Sequence, residues 1–132
     1  MQYYLSIVTV KIKYLNKMKS GKQSLSIIQK DASAVIDFIK PAAQLTVTAT
    51  ASGFVTLGAT IPTGANYALI EVEASGTDSI RFWITGENPT SSIGFRRFDK
   101  EYFDIEGANN LNKFKCLTSG TVKLNVMFGV KR

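Results

Sequence analysis

Apolar and polar residues alternate with a period of two through the second half of the chain. Over 67–73, Ala68, Ile70 and Val72 alternate with Leu69, Glu71 and Glu73. Over 79–85, Ile80, Phe82 and Ile84 alternate with Arg81, Trp83 and Thr85. That period marks a half-buried β-strand. Thr63-Gly64 opens this unit, and Gly86 with Asn88-Pro89 closes it, residues that favour turns over continued strand. Two strands cannot bury an apolar face alone, so others must cover it. Upstream, Leu45, Val47 and Ala49 alternate with threonines over 44–50, and Ser52-Gly53 turns into 54–57. Downstream, Phe103 and Ile105 share a face in 101–106, and Phe114 and Cys116 share one in 111–117. Val122, Leu124, Val126 and Phe128 share another in 121–128. Seven short strands punctuated by Gly, Pro and Asn predict an antiparallel β-sandwich or barrel.

The N-terminal third has a different texture. Residues 3–15 are rich in β-branched and aromatic side chains and predict a strand, and 16–22 form a polar linker. A strand is expected at 24–29 and a short helix or turn at 31–39. Asp31 would be its N-cap, Val35, Ile36 and Ile39 fall at helical spacing, and Pro41 would stop the run. This divides the chain into a basic arm, 1–40, and a sandwich domain, 41–132.

Charge sharpens that division. Residues 1–40 hold seven lysines against Asp31 and Asp37, a net +5, while 41–132 hold nine basic and eight acidic side chains, a net +1. A basic arm suits an anionic partner surface. Aromatics are not interleaved with its lysines beyond Tyr14, so nucleic acid is not the expected partner. No stretch reaches the ~20 apolar residues that span a bilayer, and Met1 to Val10 lacks the basic start of a signal peptide. No membrane partner is expected.

Composition narrows the chemistry. There is no histidine, which removes the commonest general base and the commonest metal ligand together. The single cysteine, Cys116, cannot form an internal disulfide, and on an apolar strand face it reads as an inert buried thiol. Glu71, Glu73, Asp104 and Glu106 supply carboxylates, but as a solvated face rather than a hydrolytic pair. No phosphate loop or calcium loop is present, so no catalytic residue, metal or cofactor is expected, and an enzyme is the weakest class.

Two clusters remain. Arg81 and Trp83 share the outward face of one strand, and Tyr67 is expected to flank them on the strand beside it. Arg96 and Arg97, with Phe95 and Phe98 around them, form the other. Arginine and aromatic residues are enriched in protein interfaces, the favoured reading. The alternative is a platform for a sugar ring on Trp83, Arg81 and Tyr67, that is, a carbohydrate- or host-surface-binding module. In the arm, Tyr3, Leu5, Ile7, Lys11 and Lys13 are the candidate docking residues.

The run Ala68-Leu-Ile-Glu-Val-Glu73, then Ile80-Arg-Phe82, then Gly86, Pro89-Thr90 and Gly94, resembles small β-sandwich virion proteins of tailed bacteriophages. Phe103, the 111–117 segment and Leu124-Asn-Val126 fit the same pattern. Here Thr85 stands where that group carries an acidic residue before glycine. The resemblance covers about 44–130 and rests on packing and turn residues. It implies an antiparallel β-sandwich, jelly-roll-like, in a non-enzymatic structural component of a virion. Capsid decoration, head fibre and tail are the roles it covers, with assembly in the host cytoplasm. The expected partners are other virion proteins, with self-association into a homo-oligomer.

Overall fold

The structure, a computed structural model, describes residues 35–132. The chain divides into two units, residues 1–37 with Lys131–Arg132, and Phe38–Val130. Within the first, the Arg132 guanidinium pairs with Asp37, and the Arg132 N–H donates to the Val35 carbonyl at 2.9 Å. The expected elements at 3–15, 16–22 and 24–29 lie outside the described residues.

The described residues are mainly β. Strands β1 (Ile36–Thr46), β7 (Val122–Lys131), β2 (Tyr67–Ala74) and β5 (Tyr102–Glu106) lie in that order in a four-stranded sheet. Strands β4 (Phe95–Phe98), β3 (Ser79–Trp83) and β6 (Lys115–Leu117) make a three-stranded sheet. One short helix, α1 (Ala108–Lys113), precedes β6. The pairings of β2 with β5 and β7, and of β3 with β4 and β6, are antiparallel. The two sheets enclose one core in a sandwich-like arrangement.

Period two delivers the core as expected. Ala68, Ile70 and Val72 of β2, Ile80 and Phe82 of β3, and Phe103 and Ile105 of β5 are buried. So are Val122, Leu124, Val126 and Phe128 of β7. Phe82 and Phe103, from opposite sheets, stack with centroids 4.4 Å apart. Phe54 stacks on Phe114 at 4.5 Å and meets Phe128 edge-on at 5.2 Å. Each ring contributes large apolar area, and offset or edge contacts add about 0.5–1.5 kcal/mol beyond burial.

Several expectations are corrected. Residues 36–39 belong to β1 and not to a helix or turn, because Ile36 and Ile39 are β-branched and favour extended backbone. Pro41 continues that strand: β1 is an edge strand, where a missing N–H is tolerated. Residues 54–58 form a turn and not a strand, with the Ala59 N–H donating to the Phe54 carbonyl at 2.9 Å. Gly53 permits it, since a Cβ there would lie 2.9 Å from the Phe114 carbonyl oxygen. Residues 108–113 are helical, because Leu111 and Phe114, three apart, reach the same core. Finally, β2 and β3 are not neighbours. Their short connection crosses from one sheet to the other, held by the Asp78 carboxylate, which accepts the Thr121 N–H at 2.8 Å.

Phe82→Ala is expected to cost about 3–5 kcal/mol through lost burial and a residual cavity, a large part of the ~5–15 kcal/mol typical of a domain. Chemical denaturation measures it directly. An unfolding midpoint equal to that of the wild type would show that the inter-sheet stack does not stabilise the fold.

Candidate functional site

The alternation that buries Ile80 and Phe82 turns Ser79, Arg81 and Trp83 to the outer face of the three-stranded sheet. Strand register sets their neighbours. Arg81 lies opposite Arg96 on β4 and Leu117 on β6, Ser79 lies opposite Phe98, and Trp83 lies opposite Lys115. The sequence-predicted Arg81, Trp83 and Arg96 therefore meet on one surface. Arg97 does not share it: its partner is the buried Ile80, and its guanidinium sits 6.0 Å from the Phe82 ring at the sheet edge.

Each of these side chains is held. The Arg81 guanidinium donates through Nε to the Ser91 carbonyl at 3.1 Å and through Nη1 to the Gly94 carbonyl at 2.9 Å. It thereby pins the 86–94 loop to β3. Arg96 Nε donates to Ser79 Oγ at 3.0 Å, and its guanidinium lies 4.8 Å from the Phe98 ring centroid, a cation–π contact. Trp83 stands edge-on to Phe95 at 5.3 Å. Phe95 is 55% exposed and Phe98 39%, a large apolar display for two rings on a four-residue strand. Lys115 Nζ donates to Asn88 Oδ1 at 3.1 Å. The outcome is a cationic and aromatic face in which, among the described residues, no ion pair neutralises Arg81, Arg96 or Lys115.

Tyr67 is the clear correction. It lies in the other sheet, 2% exposed, with its hydroxyl donating to Asp104 Oδ2 at 3.0 Å and the Phe38 ring edge-on at 6.1 Å. It cannot flank Trp83 because β2 and β3 belong to different sheets. Burial and the neighbouring Asp104 carboxylate push its phenol far above its usual range. Tyr3, Leu5, Ile7, Lys11 and Lys13 lie outside the described residues.

The carboxylates considered for hydrolysis do other work. Glu71 and Glu73 accept from Asn125 Nδ2 at 3.0 and 3.2 Å, and Gln44 Nε2 donates to Asn125 Oδ1 at 2.8 Å. This polar ladder crosses β1, β7 and β2 on the outer face of the larger sheet. Cys116 is fully buried, and burial pushes its thiol up to about 12. Among the described residues no group of three or more His, Cys, Asp or Glu is placed to hold a metal ion. No helix among them is long and apolar enough to cross a membrane. Sequence reasoning missed Ser79, Ser91, Ser119 and Lys115 as members of the basic face. Ser79, two residues before Arg81 on the same strand face, and Lys115, which alternates with Phe114 and Cys116, carried a local signal.

No family model, curated protein or solved structure matches this chain.

Gly94 has φ +130, and a Cβ there would sit 3.1 Å from Pro89 Cβ and 3.2 Å from the Phe82 nitrogen. Gly94→Ala is expected to cost about 1–3 kcal/mol and to loosen the Arg81 anchor. Urea midpoints set against Ser92→Ala, an exposed control in the same loop, would read it; equal midpoints would sink it. A second expectation concerns pH. The folded state holds the Cys116 proton to about 12, whereas the unfolded thiol titrates near 9. That contribution is complete below pH 9 and is lost as pH rises towards 12. The stability of the wild type relative to Cys116→Ala should therefore fall by about 2 kcal/mol between about pH 8 and 10.5. A pH-independent difference would contradict it.

Proposed function

We propose that this chain is a non-enzymatic structural component of a phage virion, a jelly-roll-like sandwich that docks through its basic N-terminal arm onto capsid or tail proteins. It self-associates and is carried in the virion after assembly in the host cytoplasm. The observation that supports this reading best is the outer face of Trp83, Arg96 and Phe98, with the exposed Phe95 ring beside it at the edge of β4. Exposed rings beside guanidinium groups are the composition of an interface centre. The resemblance of residues 68–94 to virion β-sandwich proteins points the same way. The glycan-binding alternative has lost one of its three residues, since Tyr67 is buried in the opposite sheet.

Sedimentation of the full chain and of a Phe95→Ser, Phe98→Ser variant tests the reading. Both rings are exposed, so the variant should keep its circular dichroism spectrum while its self-association weakens about tenfold or more. Association unchanged by the substitutions, beside glycan binding lost in Trp83→Ala, would move the conclusion to a binding module.

A further inference from the structure

Arg81 and Arg96 face each other across β3 and β4, an arrangement of like charges that is unfavourable without a counter-charge. Both also line a largely polar depression of about 50 Å³, together with Ser79, Ser91, Ser119 and the buried Leu117 and Thr118. No acidic side chain lines it. The nearest carboxylate in sequence, Asp78, is turned to the Thr121 N–H. A water needs roughly 10–15 Å³ measured in this way, so the space admits a few waters or one tetrahedral oxyanion.

The donors are already oriented. Two of the five Arg81 N–H groups are fixed on the Ser91 and Gly94 carbonyls, which holds the guanidinium plane and leaves three for another acceptor. Arg96 spends Nε on Ser79 Oγ and lies against Phe98, which leaves its four terminal N–H groups. Because Ser79 Oγ is the acceptor in that bond, its own hydrogen remains available to donate. Forked guanidinium donors bind phosphate and sulfate in a bidentate manner, and donors held in place lose less entropy on binding.

We infer that Arg81, Arg96 and the Ser79 hydroxyl, in the depression that Ser91 and Ser119 also line, form a binding site for one phosphate or sulfate group. The group arrives either as the free anion or as an ester on an acidic polysaccharide. This site is independent of whether the chain belongs to a particle.

Thermal melts of the full chain test it, in millimolar sodium sulfate or phosphate against sodium chloride of equal ionic strength. Sulfate stabilises folded proteins generally by exclusion from their surfaces, so the reading is the difference between variants. The wild type and Lys123→Gln, which removes an exposed charge from the other sheet, should gain a few degrees from the anion. Arg96→Gln should gain none, and Arg96→Lys only part, since an ammonium lacks the fork. Arg96 is exposed, and its variants' melting points in chloride report whether they fold. A gain of equal size in Arg96→Gln, or no gain in the wild type, overturns the site. Titration with dextran sulfate and with neutral dextran separates the sources. Binding of the sulfated polymer about tenfold weaker in Arg96→Gln assigns an ester, and Arg96-dependent binding of inorganic anion alone assigns the free ion. An oligothymidylate bound through Arg96 where dextran sulfate is not would overturn the polysaccharide as carrier.

Discussion

The phenylalanine rings between the two sheets set the frame on which the rest depends. The sheets are separate hydrogen-bonded ladders, so apolar contact across the core must hold them face to face. Phe82 of the smaller sheet stacks on Phe103 of the larger one at 4.4 Å, and Phe114 touches both at 5.8 and 6.2 Å. Phe54 and Phe128 extend the cluster through Phe114 and Phe54 respectively. Two of these rings come from outside strands. Seating Phe54 draws the 54–58 turn onto the core, and seating Phe114 fixes where α1 stops. The approach is close enough that position 53 accepts only a hydrogen in place of a side chain.

That core also decides the outer face. With Phe82 and Ile80 turned inward, Arg81 and Trp83 can only point outward, at a spacing set by the strand. Arg81 then serves the fold before any ligand, tying the 86–94 loop down by two carbonyls. Gly94 lets that loop lie flat against β3, with Pro89 buried beneath it. The basic face is therefore a rigid surface with guanidinium groups fixed by backbone and aromatic neighbours.

Much of this was legible in the sequence, and the boundary has physical causes. Strands β2, β3, β5 and β7 carry clean period-two patterns, so their inward faces followed from alternation alone. Residues 111–117 misled because Phe114 and Cys116 also alternate, although Leu111 and Phe114 at i and i+3 carry the helical contact. The sheet crossing between β2 and β3 was invisible locally. Its short loop reads like a hairpin, and the bond that directs it joins Asp78 to Thr121, far along the chain. The same holds for the candidate site. Arg81 and Trp83 were readable as one face, whereas Arg96, Ser91 and Ser119 reach it only through register and loop packing.

Strand β4 shows how an edge can be closed to backbone pairing. An edge strand ordinarily offers unpaired N–H and C=O groups to any extended chain. Here the Phe98 N–H is taken by the Glu101 carboxylate at 2.8 Å, and the Arg96 carbonyl by Arg97 Nη1 at 2.9 Å. The positive φ of Lys100, 67°, lets the following turn fold back so that Glu101 reaches Phe98, while the Lys100 N–H reaches the Val72 carbonyl at 2.7 Å. An incoming strand would have to displace two charge-assisted bonds before gaining any of its own. Backbone pairing at this edge, which accepts almost any sequence, is therefore costly, and what the edge presents instead is the side chains of Phe95, Arg96 and Phe98.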